Sequence, residues 1–392
     1  MINVQHLAVK YRPRTLREVI GQKQVVGSII GALRRKSIPP VILLHGPHST
    51  GKTTIARLLA KYLNCEKPDK DHTPCEKCSS CKASNDVLAG RSVHTDVTEL
   101  NAALHGGVDA IRRLESLAPQ APRYNVRIFI LDEAHGITAT AFRGALKLFE
   151  DPPRRAMFFL CTTDFEKLPK QIIDRCHIFK LTPIDTDLIA KRVYQVAIKE
   201  GFKPGNPKML KKLCQQIGAA SDGHMRQALG LLDNIRNYAE GQEGSINWDK
   251  MLPEIIENTP ELAPYVTAQR YVAAIFSGKH PRAFLAIDNT QNHDYLVRRV
   301  LECFDLIVSS WIDEEHLVDR GKYWMLRGVH VPSKDVGKKV LLQSDGMEEI
   351  MTIYLDALDR IKNYTTDPKV TVQAATLRVM KIIRSWNKLS KS

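Results

Sequence analysis

The sequence lacks an uninterrupted apolar run of about 18 residues, the length that a membrane-spanning helix requires. It also lacks a secretory signal peptide, because residues 1–6 lead directly into a polar and basic segment. Internal repeats and low-complexity tails are absent as well. We therefore expect a soluble, cytoplasmic protein without a membrane partner.

Acidic residues are fewer than basic ones. The 392 residues include 43 Asp and Glu against 57 Lys and Arg, which gives a net charge of +14 at pH 7. A basic excess of this size favours a polyanionic partner, and nucleic acid before a membrane surface. The charge is a weak argument by itself, since solubility alone tolerates it. The length allows two or three domains, each with its own core.

Cysteine is scarce outside one segment, which holds four of the eight cysteines in the spacing C-x₉-C-x₂-C-x₂-C. These four are Cys65, Cys75, Cys78 and Cys81. In a reducing compartment such a cluster indicates a metal rather than disulfides, and four thiolates can close a tetrahedral Zn²⁺ shell. We predict a structural zinc, with His72 as a competing ligand and free or redox-active thiols as the alternative. The remaining cysteines are expected in the core: Cys161, Cys176, Cys214 and Cys303.

One stretch indicates phosphate chemistry, Gly46-Pro47-His48-Ser49-Thr50-Gly51-Lys52-Thr53, which fits the pattern G-x-x-x-x-G-K-[ST]. It follows an apolar strand pattern at 41–45 and precedes a helical pattern at 54–63. Gly46 and Gly51 allow a tight turn whose N–H groups point at phosphate, and the helix N-terminus adds a positive dipole end. Lys52 can reach the β- and γ-phosphates, while the Thr53 hydroxyl can ligate Mg²⁺. The nucleotide site is predicted to include these further residues: Ser49, Thr50 and Thr54. The alternative is a chance Gly-Ser loop.

A second signature is the apolar pattern at 126–135, which contains two adjacent carboxylates, Asp132 and Glu133. Asp132 can hold Mg²⁺, and Glu133 can orient and deprotonate an attacking water. The alternative is an acidic pair that faces solvent. Another strand pattern, at 156–164, carries threonine at its tip, where a hydroxyl can bond the γ-phosphate or the water. Alternating strands and helices predict a parallel sheet with its ligand at the strand C-termini.

Segments on either side of this α/β region leave alternatives open. Tyr11, Val19 and Ile20 could wall an adenine ring, or they could belong to an N-terminal arm packed on the core. Residues 185–238 are helical in pattern, and Arg226 could reach ATP phosphates from a mobile lid or form a surface salt bridge. Beyond a linker at 239–252, apolar stripes predict a helical bundle.

These residues resemble the ATPase subunit of the bacterial DNA polymerase III clamp loader, of the gamma/tau type. The motifs that carry the resemblance are Lys10-Tyr11-Arg12-Pro13, Val19-Ile20-Gly21-Gln22, the phosphate loop, the cysteine cluster, Leu131-Asp132-Glu133-Ala134-His135, Glu150-Asp151-Pro152-Pro153, Thr162-Thr163-Asp164, Lys167-Leu168-Pro169, Arg175-Cys176 and Met225-Arg226-Gln227-Ala228-Leu229. The resemblance is strong over residues 7–236 and weaker afterwards, and it returns at Asp367-Pro368-Lys369 and the final helix.

The resemblance implies an α/β fold of the AAA+ type with an all-α collar. The implied domains are a RecA-like ATPase domain at 1–182 with a zinc module at about 64–84, a helical lid at 183–240 and a collar for oligomerisation at 250–392. It further implies a pentameric ring with other clamp-loader subunits. Such a ring uses Mg²⁺ and ATP to open a sliding clamp and load it at primer–template DNA. The implied location is the nucleoid of a bacterial or phage-infected cell.

The resemblance also implies roles for single residues. Thr163 corresponds to sensor 1, Arg226 to sensor 2, and Arg175 to an arginine finger that acts on ATP bound by the adjacent subunit. Tyr11, Arg12 and Pro13 then belong to the nucleotide site, together with Val19 and Ile20. Lys147 and Lys167 lie where the family has basic residues that face DNA, so their contacts would be to phosphates.

Two departures from the family pattern affect these expectations. Asp174 precedes Arg175 where the family has serine, and its carboxylate could pair with the finger or help to dock a partner subunit. The chain stops after the collar segment, so a polymerase-tethering role is not expected. Two alternative functions stay open: a non-hydrolysing structural subunit of the same ring, and an AAA+ motor for another DNA transaction such as branch migration.

Overall fold

The computed structural model describes residues 6–69, 73–88, 94–203 and 207–241, and further along residues 248, 251, 268, 271–275, 296–301, 303–304, 307, 346–362 and 367–389. The chain divides into two compact units. The first comprises Met1–Ile189 and Asp222–Asn234, and the second comprises Ala190–Ser221 and Ile235–Ser392. No helix among the described residues is long and apolar enough to cross a membrane.

The first unit is built on a five-stranded sheet with the strand order β2-β3-β4-β1-β5. The strands are β1 Val41–His45, β2 Val97–Asn101, β3 Arg127–Asp132, β4 Ala156–Thr162 and β5 His177–Lys180. Every neighbouring pair is parallel, with Leu44 beside Cys161 and Asn101 beside Asp132. The C-terminal ends of all the strands therefore lie along one edge, as the sequence predicted for an α/β protein.

Helices connect the strands and continue beyond the sheet. Those from the N-terminus to the end of the sheet are α1 Leu7–Lys10, α2 Lys23–Arg34, α3 Lys52–Leu63, α4 Ser79–Leu88, α5 Ala102–His105, α6 Val108–Leu117, α7 Ala139–Glu150 and α8 Lys170–Ile173. Among those that follow are α9 Thr186–Lys199, α10 Pro207–Ala220, α11 Met225–Glu240, α12 Gly346–Lys362 and α13 Pro368–Leu389. Short 3₁₀ turns lie at Leu16–Glu18 and Ala134–Gly136.

The central strands are apolar along their length because helices cover both faces of the sheet. On one face Leu44, Ile130 and Phe159 belong to the same buried cluster as Ile55 of α3. On the other face the buried cluster contains residues of β1, β3 and β4 together with residues of α6 and α7. The Phe129 and Phe158 rings stack there with centroids 5.1 Å apart. This double burial holds the strand ends, and the polar residues that follow them, in fixed positions.

The second unit is helical in its described parts, as the apolar stripes predicted. The stripe residues whose side chains are described are buried: Leu296, Val300, Phe304, Ile307, Ile350, Ile353, Ala357, Ile361, Val372, Ala375, Val379 and Ile383. Trp311 and the side chains of Leu358 and Trp386 lie outside the described set. Within this unit the buried hydroxyl of Tyr271 bonds the Tyr354 hydroxyl at 2.6 Å and also contacts Thr376.

Strand β2 and helices α4 and α5 were not predicted from the sequence. Strand β2 is an edge strand, and its residues are exposed or half-buried, so it carries no apolar run. The prediction for the single cysteines holds for Cys161, Cys214 and Cys303, which are buried. Cys176 is half-buried and packs against the core cluster that contains Phe158.

Candidate nucleotide and metal sites

The phosphate loop joins β1 to α3, and its two glycines have backbone geometry that disfavours other residues. Gly46 has a φ of +146°, and a Cβ atom there would lie 2.2 Å from the carbonyl oxygen of Leu181. Gly51 has a φ of +107° and immediately precedes α3. The Thr50 hydroxyl donates to the Pro47 carbonyl at 2.9 Å and closes the turn. The loop thereby wraps around the N-terminus of α3, where backbone N–H groups can bind an anion.

Lys52 begins α3 and is almost completely buried, with 6% of the residue exposed. Its Nζ donates to the carbonyl oxygens of Gly46 at 2.8 Å and Pro47 at 2.7 Å. Burial lowers the pKa of Lys52, and the carboxylates of Glu133 and Asp132 oppose that shift. The ammonium group is therefore held over the loop, where a phosphate can take the place of a carbonyl as its acceptor.

Thr53 and Asp132 bring the two sequence signatures into contact. The Thr53 hydroxyl in the first turn of α3 lies 3.0 Å from both carboxylate oxygens of Asp132 at the end of β3. Burial raises the pKa of Asp132, and the bond from Thr53 lowers it. A hydroxyl beside a carboxylate forms the hard oxygen donor set that Mg²⁺ prefers. The residues present therefore fit a magnesium ion.

Glu133 follows directly, and polar groups surround its carboxylate. Its backbone is left-handed, with a φ of +49°. Thr163, the first residue after β4, donates its hydroxyl to Glu133 Oε2 at 3.1 Å. His135 Nδ1 lies 3.5 Å from the same carboxylate, and His48 Nδ1 of the phosphate loop lies 3.9 Å from it. Roles for Glu133 and Thr163 were predicted from the sequence, whereas roles for the two histidines were not, although both histidines belong to motifs named above.

The N-terminal arm packs beside α3 and α4. Its predicted site residues are all half-buried: Tyr11, Arg12, Pro13, Val19 and Ile20. Val19 packs against the core cluster of the sheet, in agreement with an arm that lies on the core. Arg12 Nη1 donates to the carbonyl of Leu88 at the end of α4, 3.2 Å away. Burial, with Arg57 and Arg226 nearby, lowers the pKa of Arg12 to about 10. The adenine contact stays a prediction.

Residues outside the phosphate loop also form hydrogen bonds with it. Gln22 is buried, and its Nε2 donates to the carbonyls of Thr50 at 3.3 Å and Thr182 at 2.7 Å. His224, just before α11, donates from Nδ1 to the His48 carbonyl at 2.6 Å. Arg226 is exposed in the first turn of α11 and is near enough to lower the pKa of Lys52. The roles of Gln22 and His224 were missed, though Gln22 belongs to a quoted motif.

Three predicted residues lie outside the group that surrounds the loop in the described part of the chain. Arg175 is half-buried after α8, and its Nε donates to Glu150 Oε1 at 2.8 Å. Its carboxylate partner is thus Glu150 at the end of α7, and the adjacent Asp174 is exposed. Lys147 is exposed on α7, and Lys167 is exposed in an ion pair with Asp164 at 2.7 Å. Their proposed roles need a partner subunit or DNA.

The four clustered cysteines converge on one point. The sulfur atoms of Cys65, Cys75, Cys78 and Cys81 all lie within 4.8 Å of one another. A tetrahedral Zn–S distance of about 2.3 Å places the sulfurs about 3.8 Å apart, close to the 3.9 Å between Cys75 and Cys81. Backbone N–H groups, including that of Lys77, lower the pKa of Cys75 to about 6 and so favour its thiolate. The donor set therefore fits zinc, while His72 lies outside the described residues.

The phosphate loop, the acidic pair and the polar threonine meet at the C-terminal edge of a parallel sheet. This fold and site define a nucleotide-binding domain of the phosphate-loop class. The gamma subunit of DNA polymerase III from Buchnera aphidicola subsp. Acyrthosiphon pisum is 36% identical over 252 residues, which cover 64% of this chain and 67% of that protein. The chain belongs to the family of DNA polymerase III gamma and tau subunits.

Other comparisons give the extent of the similarity. The gamma/tau subunit of Mycoplasma genitalium is 31% identical over 77% of this chain and 48% of its own length, so the chain spans about half of that relative. The tau subunit of Bacillus subtilis is 34% identical over 61% of this chain and 40% of its own length. A family model described as DNA polymerase III, delta subunit, matches residues 21–185. Among solved structures, the RuvB Holliday junction branch migration motor of Thermotoga maritima has a TM-score of 0.46 and 18% identity, over 67% of this chain and 78% of that one.

Proposed function

We propose that the protein is the ATPase subunit of a sliding-clamp loader, which couples ATP hydrolysis to loading of a clamp on primer–template DNA. The observation that carries this proposal is the contact between Thr53 and Asp132, beside Lys52 and the pair formed by Glu133 and Thr163. This arrangement suits a bound nucleoside triphosphate. The gamma and tau names of the relatives supply the clamp-loader context.

In this proposal each side chain of the site has a separate role in hydrolysis. Lys52 binds the β- and γ-phosphates, and the loop N–H groups of Gly51 and its neighbours bind the remaining phosphate oxygens. Thr53 and Asp132 hold Mg²⁺, which supplies positive charge to the phosphate oxygens when bound. Glu133 orients the attacking water and accepts its proton, and the Thr163 hydroxyl keeps the carboxylate at the end of the sheet.

Residues outside this group are proposed to act across interfaces. Arg175 is the arginine finger for the nucleotide of an adjacent subunit, and Arg226 is the sensor that reaches the phosphates from the lid. Lys147 and Lys167 contact the DNA backbone, and such contacts weaken with salt. The proposed domains are 1–182 for the ATPase, 183–240 for the lid and 250–392 for a collar. The proposed assembly is a pentameric ring with other clamp-loader subunits, associated with the nucleoid.

Zinc is proposed as a structural ion at the four cysteines. A closed four-sulfur shell leaves no position for substrate, so its contribution is to the folding of residues 64–84. Elemental analysis of the purified protein is expected to find one zinc per chain. Protein that contains no metal when freshly purified would contradict this assignment.

Two variants test the hydrolytic function. Lys52→Ala is expected to lose nucleotide binding and hydrolysis, whereas Glu133→Gln is expected to retain binding and lose hydrolysis, because only the second residue acts on the water. Circular dichroism controls for folding. Unchanged turnover in either variant would reject the assignment. Wild-type protein that binds ATP without turnover, even with clamp and primed DNA, would favour a structural subunit; recovery of no sliding clamp in a pull-down would favour another DNA motor.

A further inference from the structure

Lys61 is a fully buried lysine on α3, the helix that begins with Lys52. Its Nζ donates to Asn85 Oδ1 at 2.7 Å and to the carbonyl of Arg14 at 3.2 Å, and it forms an ion pair with Glu76. Asn85 closes the group by donating from Nδ2 to the other oxygen of Glu76 at 2.8 Å. The three acceptors come from three different segments of the chain.

Those segments are the cysteine hairpin, by which we mean the segment from Cys75 to Cys78, then α4, and the N-terminal arm. Glu76 lies between Cys75 and Cys78, and its backbone is left-handed with a φ of +59°. Asn85 lies on α4, which contains Cys81. An ammonium group has three protons, and burying it without partners would be strongly destabilising. Lys61 is therefore stable in the core only while hairpin, α4 and arm are all in place around it.

The same arm carries the proposed nucleotide contacts. Arg14 follows Tyr11, Arg12 and Pro13 in sequence, so the bond from Lys61 holds the arm at the rear of α3. The arm is held a second time by α4, because Arg12 donates to the Leu88 carbonyl. The cysteine module, which comprises the four cysteines and α4, thus connects to the N-terminal arm at two points, through Lys61 and through the Leu88 carbonyl.

We propose that Lys61 is a positioning residue that couples the cysteine module to nucleotide affinity by holding the N-terminal arm against α3. Metal binding at the four cysteines orders the hairpin that presents Glu76, and Lys61 transmits that order to the arm. The inference rests on the proposed function in one respect, which is that nucleotide binds at the phosphate loop.

The test measures the dissociation constant of a fluorescent ADP analogue with the full chain, before and after zinc is removed by a chelator. Metal content is measured on each sample. In the wild type we expect zinc removal to weaken binding by at least about fivefold, the lower end of usual coupling between sites. Lys61→Met is expected to weaken binding by a similar factor while zinc is retained, and zinc removal should then have little further effect.

Two other variants make the result specific. Lys82→Met removes an exposed lysine from α4, the helix that carries Asn85, and is expected to bind the analogue as the wild type does. Glu76→Gln alters a side chain that is 37% exposed, so it should fold even if Lys61→Met does not. It is expected to weaken binding in the same direction as Lys61→Met, because the buried ammonium loses its charged partner.

The outcomes separate this inference from the proposed function. Wild-type protein that binds no analogue, with or without zinc, would overturn both. Wild-type protein that binds the analogue with an affinity independent of zinc would overturn the coupling alone. Wild-type affinity in zinc-loaded Lys61→Met, or in Glu76→Gln if the first variant does not fold, would also overturn it.

Discussion

Replacing Glu150 with glutamine would test whether its ion pair restrains Arg175. Glu150 is the last residue of α7, Arg175 follows α8, and Arg175 Nε donates to Glu150 Oε1 at 2.8 Å. An arginine that acts on the nucleotide of an adjacent subunit must leave this carboxylate first. Glu150→Gln keeps the shape and the hydrogen-bond acceptor but removes the charge. If Arg175 is the proposed finger, it should be released more easily in this variant, and ATP turnover in the proposed ring should rise.

The structure limits how large this rise can be. The side chains of Arg175 and Glu150 are 29% and 49% exposed, so water screens their attraction. Ion pairs this open contribute about 0.2–1 kcal/mol. If the variant loses all of this ion-pair energy, the population of unpaired Arg175 should be roughly 1.4- to 5-fold larger than in the wild type. Turnover should rise by no more than this factor, and the increase should shrink at high salt, where the wild-type pair is already weakened.

The assay is steady-state phosphate release by the assembled ring at saturating ATP, in low and high salt. Asp174→Asn is the matched control, because it removes an exposed carboxylate next to the arginine and leaves the pair with Glu150 intact. Turnover that falls tenfold or more in Glu150→Gln would refute the reasoning, since it would mean that Glu150 presents Arg175 to the neighbouring subunit. A larger effect from Asp174→Asn would refute the choice of partner.

Two further predictions concern stability. Phe158→Ala should lower the free energy of unfolding by about 3–5 kcal/mol, because the ring is fully buried against Phe129. Leu104→Ala, at a residue that is 74% exposed, should change the free energy of unfolding by less than about 0.5 kcal/mol. Urea denaturation measures both values, and equal effects would contradict the packing. Burial lowers the pKa of His94, so the unfolded chain binds more protons in acid, and unfolding should become easier as pH falls below about 6.5. Denaturation between pH 8 and pH 5 should show a weaker pH dependence in His94→Gln, and an unchanged profile would contradict this.

The phosphate loop and the acidic pair could be located from the sequence because both are local signals. In the loop, Gly46, Gly51 and Lys52 lie within a few residues of one another, and each has a distinct physical task. The strands that precede these motifs could be predicted because both of their faces are buried, which makes them continuous apolar runs. Strand β2 could not be predicted in this way, since it lies at the sheet edge and is mostly polar.

For the cysteine cluster, too, one part could be predicted from local sequence and another part could not. Spacing alone predicted that Cys65, Cys75, Cys78 and Cys81 form a site, and their sulfurs do converge. Spacing could not predict that the hairpin between them would supply a partner for Lys61, because a lysine on an amphipathic helix usually faces water. Its burial depends on the position of the arm and of α4.

By itself the sequence determined the α/β class, the phosphate loop, the acidic pair and the four-cysteine cluster, since each follows from the chemistry of residues close together in the chain. The tertiary structure alone decided which carboxylate holds Arg175 and which groups surround Lys61. Those contacts join segments far apart in sequence, such as Lys61 and Arg14. A pattern of residues specifies which groups are present along a segment, but only packing of the sheet and helices brings distant groups within bonding distance.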